Sequence, residues 1–291
     1  MTELVNNNAP SVTIGMPVYN GEKYIKDALD SLLAQTFTDF ELIISDNCSI
    51  DNTQEICEQY AKKDTRIKYI RQVENLGALR NFLFVVDEAI GEFFMWAACD
   101  DTWDSAWVSV VYREIKELEN FAVFSKLIHI DEFSEPILHP ATQNRFGFSG
   151  NILKRKIKFF LQPEAKGKAN LFYSLFNTKY LKGIHLLKYN QDYYALFDWL
   201  NEIQFIAVDE VGFYKRIHSA GEGVTKPKSV AMRMLQVLSL KTIFDSIENA
   251  MGYLKYSHGY EKLILIFLVP VKVFLVHLFR LQQAFKRLLN I

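Results

Sequence analysis

The 291-residue chain has only three cysteines, Cys48, Cys57 and Cys99. An odd number at no metal-ligand spacing excludes a disulfide framework and a thiolate zinc site as organising devices. There is no G-x-G-x-x-G and no G-x-x-x-x-G-K, so a bound nucleotide must be gripped by side chains and a metal. The amino terminus, MTELVNNNAP, lacks the basic-then-apolar pattern of a secretory signal, and the expectation is a body that stays in the cytoplasm. No basic stripe with interleaved aromatics runs through the body, which argues against a nucleic-acid partner. Net charge is also nearly absent, at -1, but its parts are unequal. Residues 1–225 carry 23 basic and 31 acidic side chains, whereas 226–291 carry 10 and 3, a tail of +7 against a body of -8.

What is present is core-forming material: 49% hydrophobic and 14% aromatic residues, enough to exclude disorder and to bury a large core. The first 120 residues alternate regularly. SVTIGMP, FELIISD, IKYIRQ and EFFMWAAC have the short apolar runs of buried parallel strands. Between them GEKYIKDALDSLLAQ, TQEICEQYAKK and NLGALRNFLFVVDEAI enter or form amphipathic helices, the first with Tyr24, Ala28, Leu29, Leu32 and Leu33 inward. Right-handed crossovers turn such a series into a helix-covered parallel sheet whose carboxyl ends open onto one crevice. Asp46 and the pair Asp100–Asp101 each follow a strand, so their carboxylates are expected at that edge. Residues 121–185 show no clean period, while DYYALFDWLNEI reads as a helix and FIAVDEVGFYKRIH as one or two strands.

Adjacent carboxylates at such an edge bind a divalent ion, serve acid–base chemistry, or cap a helix. Asp46 suits a ribose hydroxyl or a base N–H, with an Asx-turn as the structural alternative. In PVYNGEKY, Pro17 stiffens the strand exit, Tyr19 offers a face for stacking on a base, and Gly21 permits a tight turn into a helix.

VTIGMPVYNGEKYIKDALDSLLAQTFTDFELIISDNCSIDNT, then ENLGALRN and MWAACDDTW, resemble the opening of family 2 glycosyltransferases, inverting enzymes with the GT-A fold. The resemblance covers about the first 115 residues and resumes near QDYYALFDWL and YKRIH. It implies an α/β nucleotide-sugar-binding fold, with a mostly parallel sheet flanked by helices, and a helical tail. A GT-A domain is expected over 1–225, its nucleotide-sugar half at 1–118 and acceptor half at 119–225, with the tail over 226–291.

Carried over by position, the resemblance implies that Tyr19 and Asp46 contact the base of a UDP-sugar, with Pro17 and Glu22 shaping the pocket. Asn75, Gly77 and Arg80 match the stretch beside the diphosphate, and Asn81 caps or braces. Asp100 and Asp101 would hold Mn²⁺ or Mg²⁺, although Ala98 replaces the first acid of the family's usual Asp-x-Asp-Asp, and sequence does not choose the inner ligand. Asp192, after Gln191 in the place of a glutamate, is implied as the general base, with a helix-cap or first-turn acid as its structural alternative; Asp198 and Asp209 are weaker candidates for the base or else surface acids. His218 of YKRIH ligates the metal, binds diphosphate or pins a loop, and the following SAGEG has the composition of a mobile lid. Trp103 and Trp107 stack on a sugar or pack the core.

The expected reaction is transfer of a sugar to a hydroxyl of a glycan or polyprenyl-diphosphate-linked acceptor, extending a bacterial-type surface glycan. Nucleotidyl transfer would want a glycine-rich basic loop, which PVYNGEK is not. The departures at Ala98 and Gln191 leave open a noncatalytic nucleotide-sugar-binding protein or scaffold. The run Lys154, Arg155, Lys156 and Lys158 reads as a solvated loop or a contact with an anionic acceptor or membrane. Residues 230–258 read as an amphipathic helix, and LILIFLVPVKVFLVHLF, 17 residues at 263–279, sits at the bottom of the spanning range and is broken by Pro270, Lys272 and His277. An interfacial or re-entrant helix at the cytoplasmic leaflet is expected, or else an interface with a second subunit.

Overall fold

The computed structural model describes residues 9–182, 186–218 and 239–288. β1 (Val12–Val18), β2 (Phe40–Asp46), β3 (Ile67–Arg71) and β4 (Phe93–Trp96) lie in the order β3-β2-β1-β4, and every pair among them is parallel. All seven residues of β1 are buried, because helices cover both faces of the sheet. The helices are α1 (Ile25–Leu33), α2 (Thr53–Lys63) and α3 (Ala78–Asp87), each turning an apolar stripe inward. In α1 that stripe is Ile25, Ala28, Leu29 and Leu32, with Tyr24 just ahead of it, as the sequence period predicts.

Chain order reverses between β1 and β4: β1 leads to β2 on one side, and the chain later returns to place β4 on the other. The crevice outside the carboxyl ends of these two strands is where α/β sheets take ligands. The far half of the sheet is mixed. Short β5 (Thr102–Trp103), β6 (Phe121–Ile130), β7 (Leu175–Asn177) and β8 (Gln204–Arg216) extend it as β4-β7-β6-β8-β5. β7 runs antiparallel to both β4 and β6, β5 runs antiparallel to β8, and β6 and β8 are parallel. FIAVDEVGFYKRIH is therefore one strand rather than two.

Around this half pack α4 (Trp107–Ile115), α5 (Ile152–Leu161), α6 (Asp192–Trp199) and α7 (Leu240–Tyr253), and α8 (Gly259–Leu288) lies along α5 and α7. Trp103 and Trp107 belong to the core, at 4% and 2% exposure, and Trp107 Nε1 donates to Ser125 Oγ. Neither indole therefore has a free face for stacking on a sugar. The basic run is likewise no loop: it forms α5, with Arg155 and Lys156 buried. Arg155 donates to the carbonyls of Gly150, Leu200 and Asn201, and Lys156 pairs with Glu261 of α8 at 2.9 Å. Only the first part of the expected 230–258 helix, through residue 238, lies outside the described residues, as does SAGEG.

Candidate active site

The loops that leave β1 and β2 are zipped to each other. Asn20 N donates to Ser49 Oγ, Ile50 N to Asn20 Oδ1, Gly21 N to Thr53 Oγ1 and Glu22 N to Asp51 Oδ2. Glu22 in turn accepts from both the backbone and the side-chain amide of Asn52. A side chain at Gly21 would force its neighbours to shift, since a Cβ would come within 2.7 Å of Val18 Cγ2 and 3.2 Å of Cys99 Sγ. Pro17 is buried in β1 opposite Ser45, and Tyr19, at 47% exposure, presents its ring to solvent at the strand exit.

Asp46 is fully buried, and both of its oxygens are engaged within the protein. Ser49 N donates to Oδ1 and Tyr69 OH to Oδ2, each at 2.8 Å, with Arg71 Nε 3.6 Å away. The carboxylate thus shapes the loop after β2, which is the Asx-turn reading of this residue. Asn75 accepts from Asn47 Nδ2 and Gly77 N, and Gly77, at φ 80°, sits immediately before α3 in a conformation that favours glycine. Asn81 braces as expected, exchanging hydrogen bonds with Ser45 Oγ and Ser45 O, while Arg80 is exposed in the first turn of α3.

The two adjacent aspartates differ. Asp101 is 2% exposed, turned toward β8, and accepts from Arg216 N at 2.8 Å. Burial, followed by the charge of Asp100, pushes its carboxyl up to about 7 against the opposing pull of Lys215 and Arg216. Asp100 is open to the crevice, and its Oδ2 lies 3.0 Å from His218 Nε2. Arg216 holds the arrangement together, donating to Asp100 O, Asp131 O, Ser134 Oγ and Asp27 Oδ2, with its guanidinium 4.6 Å over the Tyr24 ring. The Tyr24 ring also packs on His218, with centroids 4.8 Å apart.

Asp100, Asp101 and His218 do not form one three-donor cluster, and among the described residues no group of three metal-ligating side chains is present. The Asp100–His218 pair nevertheless fits a divalent ion that takes the rest of its shell from phosphate oxygens and water, as Mg²⁺ commonly does.

Asp192 is the first residue of α6, exposed, where the helix dipole favours an acid. Tyr194, Ala195, Leu196, Phe197 and Trp199 anchor the helix in the core behind it. Tyr173 feels both acidic sites: burial raises its phenol well above the ordinary range, and the charges of Asp101, Asp100 and Asp192 add to the effect. Lys215 Nζ sits 5.1 Å over the Tyr173 ring and donates to Asn170 Oδ1. Tyr173 escapes sequence reasoning because it ends an aperiodic 3₁₀ run, Lys168–Tyr173. Asp198 bonds Lys188 and Tyr189, and Asp209 bonds Lys126 and Arg145, which leaves both in peripheral pairs.

The chain is similar to known glycosyltransferases in sequence and fold. Glycosyltransferase GlyG of Streptococcus pneumoniae serotype 4 is 26% identical over 121 residues, 42% of this chain and 40% of GlyG, so the match spans less than half of that relative. Staphylococcus aureus TarS 1–349 in complex with UDP-GlcNAc superposes with a TM-score of 0.59 at 16% identity, covering 95% of this chain and 92% of that one. A mannosyltransferase of Pyrobaculum calidifontis, in complex with GDP-Man and Mn²⁺, gives a TM-score of 0.57 at 16% identity, covering 96% and 74%. These two likenesses show the GT-A-type fold. The family model for glycosyl transferase family 2 matches residues 13–182, more than half of the sequence, and the chain belongs to that family.

Proposed function

We propose that the protein is an inverting, metal-assisted glycosyltransferase that moves a sugar from a UDP-sugar to a hydroxyl of a glycan or lipid-linked glycan. The observation that carries this reading is the Asp100–His218 pair at the carboxyl edge of the sheet. Tyr19 stacks on the base within a pocket shaped by Pro17, Glu22 and the Asp46 turn. Gly77 and Arg80, positioned by Asn75 at the start of α3, meet the diphosphate, where a guanidinium forms charge-assisted hydrogen bonds. Asp100 and His218 would hold Mn²⁺ or Mg²⁺, with Asp101 supporting from behind, and the ion would neutralise charge on the leaving diphosphate. The UDP-GlcNAc complex of TarS and the Mn²⁺ in the archaeal neighbour support these two choices by analogy of fold.

In the transfer step, Asp192 takes the proton of the acceptor hydroxyl as its oxygen attacks the anomeric carbon. The bond from that carbon to the diphosphate breaks on the opposite face, its electron pair leaves with the diphosphate, and the anomeric configuration inverts. Slow turnover of a UDP-α-sugar with water as acceptor is the acceptor-free test. Proton NMR is expected to detect the β-sugar before mutarotation; the α-sugar appearing first would contradict inversion.

The same reading places the protein on the cytoplasmic leaflet through α8. This helix is about 45 Å long at 1.5 Å per residue. Its body-facing side carries Leu265, Lys272 and Val276, all buried. Lys272 donates to Phe160 O and Glu164 Oε1, each at 2.7 Å, so the charge that interrupts the apolar run points into the protein. The opposite side exposes Leu263, Phe267, Val271, Phe274, Leu278 and Phe285 without an intervening charge. Docked along its length, the helix suits lying in the interface rather than spanning it, and the +7 tail complements anionic lipid, at about 1 kcal/mol for each basic residue near the surface.

Phe267→Glu with Phe274→Glu is expected to reduce binding to phosphatidylglycerol vesicles by about tenfold or more, since each buried phenylalanine contributes about 1.5–3 kcal/mol. Unchanged vesicle binding would remove α8 as the anchor. A dimer in sedimentation velocity that the double change splits, with no vesicle binding, would assign this face to a second copy.

A further inference from the structure

A groove of about 820 Å³ runs between the start of α6 and the α7–α8 pair. Its lining includes Asn190 and Gln191, which immediately precede Asp192 in the chain, and Ile266, an exposed residue of α8. Asn249, Glu248, Lys255 and Lys262 also line it, and Asp245 and Arg280 add one charge of each sign. Lys255, Lys262, Asp245 and Glu248 are all exposed, and among the described residues none of the four has an ion-pair partner. The Gln191 side chain makes no cap hydrogen bond, although its residue caps α6.

This lining selects for a ligand class. A polyanion would meet Asp245 and Glu248, a polycation would meet the lysines and Arg280, and an apolar ligand would desolvate Asp245, Glu248, Lys255 and Lys262 without pairing them. A chain of sugar hydroxyls satisfies all of them: carboxylates accept, ammonium groups donate, and amides do both. The volume lies within the roughly 300–1,000 Å³ typical of ligand pockets, room for a short oligosaccharide.

We infer that this groove binds the acceptor glycan, holding the sugars that trail behind the attacked hydroxyl while Gln191 brings the end of the chain to Asp192. The inference rests on the glycosyl-transfer reading above and adds the place and chemistry of acceptor recognition. It assigns acceptor choice to α7 and the first turns of α8, outside the half of the chain that recognises the nucleotide.

The test uses the full chain on an array of immobilised hexose, N-acetylhexosamine and deoxyhexose oligosaccharides of graded length. UDP-sugar affinity is measured separately by calorimetry. Wild type is expected to be retained by at least one array glycan, and Glu248→Ala with Lys262→Ala to lower that retention at least tenfold while leaving UDP-sugar affinity unchanged. Both residues are exposed, so the double variant keeps its core. Retention of no glycan, or equal retention by the double variant, would overturn the inference. Groove-dependent retention by a protein that binds no nucleotide sugar would instead sink the glycosyl-transfer reading and leave the groove as a glycan-binding site.

Discussion

Asp192→Asn is expected to leave UDP-sugar binding unchanged and to lower sugar transfer by about 10²–10⁴-fold, the usual worth of a positioned general base. The amide keeps the size and the helix-start position of the carboxylate but cannot take the proton of the attacking hydroxyl. Asp192 starts α6, on a different element from the β1, β2 and α3 loops that the donor would use, so ground-state binding is expected to be spared. A variant that binds donor and transfers at near wild-type rate would move the base elsewhere. Tyr193 and Tyr194, with phenols raised by burial, are poorly suited to replace it as a base near neutrality.

The second large effect concerns the joint between the tail and the body. Glu164 accepts from Tyr253 OH and Lys272 Nζ, both at 2.7 Å, and lies 3.2 Å from Lys168 Nζ, while both lysines are almost wholly buried. One carboxylate therefore compensates two buried cations and ties the 3₁₀ turn Glu164–Lys166 to α7 and α8. Glu164→Gln removes the only negative charge of that cluster and should destabilise the fold by about 3–5 kcal/mol, the typical result of breaking a buried pair. Thermal unfolding checks this, and a midpoint within a degree or two of wild type would contradict it.

The pH dependence follows from the same contacts. Burial alone would raise the Glu164 carboxyl, but Lys168 and Lys272 outweigh it and hold it down to about 2, against an ordinary 4.5. A lowered carboxylate stabilises fully above its unfolded value, so the contribution is complete above about pH 4.5 and is lost as pH falls toward 2. In Glu164→Gln this acid-side loss should be smaller than in wild type.

The joint also explains why part of the chain was illegible in sequence. Lys156 and Lys272 sit in runs that read as a solvated basic patch and an interrupted apolar segment. Their burial depends on Glu261 and Glu164, partners about a hundred residues away. The βα alternation of the first half was legible because each strand is buried on both faces and each helix presents a single stripe, both local patterns. Asp46, Asp100 and Asp192 could be placed at strand and helix ends from such patterns and from the family resemblance. Which aspartate faces the crevice could not, because it depends on β5 pairing with β8 and on Arg216 reaching back to Asp100 and Asp101. Tyr173 had no periodic signal at all, and the oxygens of Asp46 are spent on Ser49 and Tyr69, a closure visible only once β3 lies beside β2.

The most direct measurement is calorimetric titration of UDP-, GDP- and dTDP-sugars into wild type and Asp100→Ala, each with Mn²⁺, Mg²⁺ or chelator. The expected result is selective binding of a UDP-sugar that requires the ion and is lost or made ion-independent in Asp100→Ala. Binding that ignores both the ion and the substitution, or no binding of any nucleotide sugar, would contradict the account.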